Sequence, residues 1–153
     1  MQVVFHGSNV EIREPKIVVS THTKDFGPGF YCTVIKEQAQ RWARKFDDGH
    51  VVNHYVLRKT EGLKIKKFET MTDEWLDFIV SCRNGKKHDF DIVIGVMADD
   101  QIYNFISDFL SGDITREQFW VMIKFRYPTH QICFCSTKSL ECLSFIKSEV
   151  LND

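Results

Sequence analysis

Apolar residues in this chain switch repeatedly between two spacings, and this switching restricts the folds open to it. Residues 2–6 alternate as in a strand, with Val4 and His6 on one face. Positions 35–46 instead place their apolar residues on one helical stripe. The apolar run at 89–97 is typical of a central strand. Because both patterns occur in mixed order along the chain, the sequence predicts an α+β fold.

The same patterns predict the remaining elements. Further strands are expected at 16–19, after Gly29, and at 51–58, 63–68 and 131–135. Helices are expected at 36–46, 72–83, 99–110 and 115–126, the last from the capping-box spacing of Thr115 and Gln118. A closing helix is predicted from the spacing of Leu140, Leu143, Ile146 and Val150. We find no repeat and no linker, so residues 1–153 are predicted to form a single domain.

Charge and cysteine content limit the classes of protein that are possible. The formal net charge is -1, so the chain lacks an overall polycationic character, although residues 41–45 and 64–67 are locally basic. We see neither a signal peptide nor a run approaching 18 apolar residues, so no membrane partner is expected. The five cysteines form no CxxC pair. We expect reduced thiols in a cytoplasmic protein, without a bound metal.

Two short motifs are the candidates for a functional site. His6-Gly7-Ser8 ends the first strand, and Gly27-x-Gly29-Phe30-Tyr31 enters the next one. Each motif alone has an ordinary explanation, a hydrogen-bonded structural histidine in one case and a glycine turn in the other. The glycines precede a strand and not a helix, so they are not the dinucleotide-binding G-x-G-x-x-G fingerprint.

Together and in this order, the two motifs resemble those of the H-Y-E clade of ADP-ribosyltransferases. The resemblance implies an ADP-ribosyltransferase-like fold of split antiparallel and mixed sheets flanked by helices, with a cleft for NAD as co-substrate. It implies that His6 holds a ribose hydroxyl, that Gly7 bonds the nicotinamide amide through its backbone, and that Tyr31 stacks on the pyridinium. The implied NAD-binding residues are His6, Gly7, Ser8, Gly29, Phe30, Tyr31 and Trp42.

Trp42 and Gln131 extend the resemblance. Trp42 lies eleven residues after Tyr31, where the family often supplies a second aromatic against nicotinamide, but core packing explains it equally well. The serine common three residues earlier in the poly-ADP-ribose polymerase branch is Ala39 here. Gln131 stands where the third catalytic residue, usually a glutamate, opens a late strand. The implied catalytic set is therefore His6, Tyr31 and Gln131.

A closer resemblance is to a domain-of-unknown-function family of compact bacterial proteins. The matching segments are a D-F-G-x-G-F-Y run at 25–31, a W-A pair at 42–43, a D-I-V-x-G-x-x-A-D-D run at 91–100 and a Q-I-x-F strand at 131–134. These segments extend over nearly the whole chain. The resemblance is specific as a set.

A glutamine in the third position changes the expected chemistry. It can bond a ribose hydroxyl but carries no charge, a loss of about a few kcal/mol near a cationic transition state. We therefore expect single-unit transfer and not polymer synthesis, and a rise in NAD turnover on Gln131→Glu. Asp99 or Asp100 could supply a compensating carboxylate, or could only cap the following helix. His130 could act as a base, or could be an ordinary surface residue.

The function implied is NAD-dependent mono-ADP-ribosyl transfer to a macromolecule. Such an enzyme could be a bacterial toxin or defence effector with an antitoxin or immunity partner. The acceptor, protein or nucleic acid, is left open. Two alternatives stay open as well: an NAD or ADP-ribose binding module without catalysis, and an NAD glycohydrolase with water as the acceptor.

Overall fold

A computed structural model describes residues 2–19, 24–98, 100–123 and 129–152 of the chain. The α+β class predicted from the sequence is confirmed. The strands are β1 (Gln2–Ser8), β2 (Phe30–Cys32), β3 (Val51–Leu57), β4 (Ile65–Lys67), β5 (Ile92–Gly95), β6 (Gln131–Phe134) and β7 (Leu143–Val150). The helices are α1 (Lys36–Ala43), α2 (Asp73–Arg83), α3 (Asp100–Leu110), α4 (Arg116–Ile123) and α5 (Thr137–Leu140). No helix in the described ranges is both long and apolar enough to cross a membrane.

The first sheet is antiparallel, with strand order β1-β3-β7. Helix α1 packs on one of its faces, where Ala39 and Ala43 form a buried cluster with Val52. A Cβ at Gly7 would lie only 2.1 Å from the carbonyl oxygen of Ala39. Glycine in β1 therefore allows the helix to approach the strand closely.

The second sheet is mixed, with strand order β2-β6-β5-β4 and one parallel pair, β4 with β5. Helices α2, α3 and α4 bury their apolar faces in one cluster with residues of this sheet. Trp75 is fully buried there and donates its indole N–H to the carbonyl oxygen of Val96, 2.9 Å away. Thr115 and Gln118 form the predicted capping box, with reciprocal bonds of 3.1 and 2.8 Å.

The two sheets meet at β1 and β2. Phe5 and Thr33 exchange two backbone hydrogen bonds, 2.8 and 2.9 Å long, just beyond the end of β2. A second buried cluster joins the sheets below this bridge and includes Val4, Phe30 and Phe134. This contact brings the C-terminal end of β1 beside the start of β2.

The predicted closing helix is wrong. Residues 143–150 form strand β7, which pairs with β3, and only the short α5 precedes it. The register shifts between His54 and Tyr55, which face Lys147 and Phe145, so Ile146 is an extra bulged residue. The bulge interrupts the period-two pattern and leaves an accidental helical spacing in the sequence.

Three further predictions differ in extent. The strand expected at 16–19 is reduced, among the described residues, to a single bridge between Val18 and Gly29. Helix α1 ends at Ala43, short of the predicted boundary at 46. Helix α4 is described to Ile123, and the rest of the predicted 115–126 helix lies outside the described residues. Cys142, expected on the closing helix, lies just before β7.

Candidate active site

A cavity of about 750 Å³ opens where β1, β2, α1 and the start of β6 come together. It has the size of a small-molecule site, which is of order 300–1,000 Å³. The eight residues singled out from the sequence all line it: His6, Gly7, Ser8, Gly29, Phe30, Tyr31, Trp42 and Gln131. The two sequence motifs, distant along the chain, therefore form one concave surface.

His6 is fixed by its neighbours in a defined protonation state. Its Nδ1 lies 2.5 Å from the carbonyl oxygen of Tyr31, and its ring stacks on Phe30 at a centroid distance of 4.1 Å. Because a carbonyl only accepts hydrogen bonds, Nδ1 carries the proton. Burial lowers the pKa of His6 to about 4, so the ring is neutral at pH 7. Its Nε2 is then an acceptor, suited to a ligand hydroxyl.

Tyr31 contributes its ring to the cavity, while its hydroxyl is held by the protein. The hydroxyl donates to the carbonyl oxygen of Gly27 at 2.5 Å and accepts from the N–H of Phe26 at 3.1 Å. Burial raises the pKa of the phenol. The hydroxyl is therefore a structural group that ties β2 to the preceding turn, and the ring face is the part available to a ligand.

The glycines of the two motifs have packing roles. A Cβ at Gly29 would lie 2.4 Å from Sγ of Cys133, just as one at Gly7 would collide with α1. The sequence interpretation, that Gly7 lets a ligand approach the main chain, is thus incomplete. Since Phe5 uses the outer edge of β1 to bond Thr33, strand alternation directs the Gly7 N–H and C=O to that same edge. They face away from β3, and Gly7 lines the cavity.

Ser8 and Trp42 line the cavity as well. Ser8 is buried, and its hydroxyl donates to the side chain of Asn9 at 3.2 Å. Trp42 projects from α1 and is partly buried, outside the buried cluster that joins α1 to the sheet. Of the two sequence interpretations of Trp42, the position on the cavity wall fits better than core packing.

Gln131 is almost completely buried and contacts a carboxylate that sequence reasoning missed. Its Nε2 donates to Oδ2 of Asp25 at 3.0 Å. The same oxygen accepts the backbone N–H of Ala98 at 2.8 Å, while Oδ1 pairs with Arg83. The Arg83 guanidinium in turn lies 4.1 Å from the ring centroid of Tyr103. Asp25, Arg83 and Tyr103 all line the cavity.

The other candidate groups lie elsewhere. Asp99 lies outside the described residues, and Asp100 begins α3 without a described side chain. His130 is not part of the cavity lining, and burial lowers its pKa. Its backbone N–H and C=O bond the side chain of Gln38 at 3.0 and 2.6 Å, which fastens α1 to the start of β6.

The basic stretch at 64–67 has acidic neighbours. Lys64 pairs with Asp89 at 2.8 Å, and Lys66 pairs with Glu74 at 2.7 Å. These pairs lie on the second sheet, outside the cavity lining. These pairs are typical of a solvated strand face, and they reduce the local positive charge that a nucleic-acid surface would need.

Two of the thiols, those of Cys133 and Cys135, lie close together on and just after β6. Cys133 and Cys135 project from the same side of the chain, with 3.2 Å between their sulfur atoms, and all five cysteines are free. The neighbouring thiol of Cys133, together with His88, lowers the pKa of Cys135 to about 6, whereas burial raises the pKa of Cys133. Among the described residues no three acidic, histidine or cysteine side chains are grouped to hold a metal ion.

Two sheets joined at β1 and β2, with a cavity at their junction, define an α+β protein. A family model, described as a protein of unknown function (DUF3990), matches residues 2–145. The chain therefore belongs to the DUF3990 family. No curated protein matches it.

Proposed function

We propose that this protein is an NAD-dependent mono-ADP-ribosyltransferase with an ADP-ribosyltransferase-like fold. The observation that carries the proposal is the shared cavity of His6, Tyr31 and Gln131, in which the His6 ring bonds the main chain of Tyr31. A nicotinamide riboside needs a ring face, hydroxyl acceptors and a backbone amide partner. Tyr31, His6 Nε2 and the edge of Gly7 can supply these three requirements.

The charge of the cavity wall supports a ligand that carries phosphates. Lys16, Lys24 and Lys45 line the cavity, with Glu14 as the exposed acidic residue among them. A diphosphate would find positive charge along this side, at a site partly open to solvent. The nicotinamide end would lie beside His6 and Gln131, which line the same cavity.

The reaction breaks the bond between C1′ of the ribose and the nicotinamide nitrogen, and forms a bond from C1′ to the acceptor. Nicotinamide leaves with the bonding electron pair, and the proton of the acceptor passes to solvent. His6 Nε2 and Gln131 would hold ribose hydroxyls while positive charge develops on the ring. Gln131 cannot act as a base, which fits transfer of one unit to a nucleophilic acceptor better than polymer synthesis.

A second candidate is an NAD or ADP-ribose binding module. The neutral amide of Gln131 favours it, because the nearest carboxylate, Asp25, is already occupied by three donors. A binding module would hold the dinucleotide in the same cavity without releasing nicotinamide.

The test uses NAD labelled in its adenine ring, a cell lysate and the purified chain. Label in protein or nucleic acid, with release of nicotinamide, is the expected result. Nicotinamide release without label in macromolecules would indicate a glycohydrolase, and binding without release would indicate the module. Trp42→Ala should weaken NAD binding, whereas Trp120→Ala, on α4 and bonded to Asp73 at 2.8 Å, is a matched control outside the cavity. Equal loss in both variants would refute the site.

A further inference from the structure

A buried carboxylate lies directly behind the predicted catalytic amide. We propose that Asp25 is a positioning residue that turns the Gln131 side chain so that its Oε1 faces the cavity and accepts a hydroxyl of the ligand. The identity of that ligand rests on the proposed function. The orientation of the amide does not, and it can be tested separately.

The hydrogen-bond donors around Asp25 allow only one orientation of the Gln131 side-chain amide. Its two oxygens receive the Ala98 N–H, the Arg83 guanidinium and the Nε2 of Gln131. An ionised carboxylate only accepts hydrogen bonds, so the amide must present its NH₂ group to it. If the amide turned over, two acceptor oxygens would oppose each other where both side chains are at most 5% exposed.

The remaining acceptor of the amide defines the subsite. None of the described residues donates a hydrogen bond to Oε1 of Gln131, and the residue lines the cavity. A ligand group at this point must therefore be a donor, as a sugar hydroxyl is. A carboxylate, carbonyl or phosphate oxygen would be repelled.

Arg83 makes the buried carboxylate tolerable. It pairs with Asp25 and is itself mostly buried against the ring of Tyr103. Because the guanidinium balances the charge of the buried carboxylate, Asp25 can hold its three donors in this place. The amide is thus oriented by an ion pair that spans the loop before β2 and the end of α2.

This arrangement reverses an expectation drawn from the sequence. Glutamate is the usual residue at this position in the resembling family, and Gln131→Glu was expected to raise NAD turnover. In this fold the introduced carboxylate would lie about 3.0 Å from Asp25, in place of the amide NH₂. The two carboxyls could coexist only by sharing a proton. The variant should therefore lose function at neutral pH.

The experiment measures NAD affinity by titration calorimetry and the thermal midpoint of unfolding, each between pH 5 and pH 8. The native chain and Gln131→Glu are compared with Gln118→Glu, an exposed matched control whose side chain accepts the Thr115 N–H.

The charged groups that line the cavity besides Asp25 and Arg83 are Glu14, Lys16, Lys24 and Lys45. The pKa of His6, about 4, keeps its ring neutral over this range, and burial raises the pKa values of Tyr31 and Cys82, which lie near Asp25. A bond to Cys135 raises the pKa of His88, which also bonds the carbonyl oxygen of Phe26, and the control carries the same group. The NAD affinity of the native chain and of the control should change little, while both midpoints should fall together toward pH 5, because unfolding lets His6 take up a proton. The midpoint of Gln131→Glu is therefore compared with that of the control at the same pH.

For Gln131→Glu we expect at least tenfold weaker NAD binding at pH 8 than at pH 5, with a parallel fall in the midpoint. At pH 5 the shared proton restores a donor to Asp25, and at pH 8 its loss leaves two charges opposed. If the midpoint of Gln131→Glu depends on pH no more than that of the control, the positioning role of Asp25 is wrong, whether or not the protein binds NAD. The midpoint of Gln131→Glu could fall toward pH 8, relative to the control, while the native chain does not bind NAD at any pH. This result would support the positioning role of Asp25 and refute the proposed function.

Discussion

The Nδ1 atom of His6 bonds the carbonyl oxygen of Tyr31 across 2.5 Å, so the two motifs are joined through the main chain. The bond sets the tautomer of the imidazole and fixes the His6 ring against the backbone of β2. A change of the His6 side chain removes this contact, whereas a change of the Tyr31 side chain leaves the bonded carbonyl in place. This difference determines how variants at the two positions should be interpreted.

The depressed pKa of His6 predicts an acid-sensitive fold. An ordinary histidine has a pKa near 6.5, and that of His6 is about 4 because burial disfavours the charged ring. Between pH 6.5 and pH 4 the unfolded chain therefore binds more protons than the folded chain. The free energy of unfolding decreases as the pH falls through this range. The loss amounts to up to about 3 kcal/mol.

Urea unfolding of the native chain and of His6→Phe at pH 7 and pH 4.5 measures this effect. The variant should show a smaller decrease in unfolding free energy on acidification, since it lacks the titrating ring. An equal decrease in both proteins would contradict the assignment of a buried neutral imidazole.

The hydroxyl and the ring of Tyr31 should be separable. Tyr31→Phe removes the bonds to Phe26 and Gly27, and should lower the unfolding free energy by about 1–3 kcal/mol while leaving NAD affinity within a fewfold of native. Tyr31→Ala also removes the ring and should abolish measurable binding by calorimetry. If the phenylalanine variant loses binding as completely as the alanine variant, the hydroxyl is a ligand contact and our account is wrong.

Gly7→Ala should destabilise the protein, because the added methyl would meet the Ala39 carbonyl oxygen and force α1 away from β1. The expected cost is about 1–3 kcal/mol in chemical denaturation. Gly85→Asn is the control: no atom lies near an added Cβ at Gly85, so its cost is only the backbone strain at a φ of 85°, which asparagine adopts more readily than most residues. Similar small losses in both variants would argue against close packing of α1.

Cys135 should be the most reactive of the described thiols at neutral pH. Cys133 and His88 lower its pKa to about 6, so the thiolate predominates above that pH, whereas Cys133 stays protonated. Limited alkylation with iodoacetamide at pH 7, followed by peptide mass spectrometry, should place the label on Cys135 first. Its rate should fall as pH drops below 6. Preferential labelling of Cys142 would refute the prediction.

The α+β class and most of the helices and strands could be predicted because local spacing determines them. The apolar stripe of α2 and the run at β5 come from neighbouring residues, and the structure places both elements inside the predicted boundaries. Strand β7 was not predicted because the bulge at Ile146 interrupts the alternation of its side chains. A bulge depends on pairing, here with β3. Pairing is a long-range property that a spacing rule does not contain.

In the candidate site too, residues within contiguous motifs could be predicted, and residues that meet only in the folded protein could not. His6 and Tyr31 were identified because their motifs are contiguous in the chain. Asp25 belongs to a motif without a signal of its own, and no pattern in the sequence distinguishes Arg83 from the other basic residues. No spacing rule links Asp25, Arg83 and Gln131, because they lie on three separate elements and meet only in the folded protein.

The packing of Gly7 and Gly29 has a consequence for comparing relatives. Both glycines are required by the protein itself, one by α1 and the other by the Cys133 sulfur. A related protein without any catalytic activity would still need both glycines in order to fold in the same way. Surveys that sort such proteins into active and inactive members should therefore give these glycines little weight, and ask instead whether an acid, a guanidinium and an amide survive together at positions 25, 83 and 131.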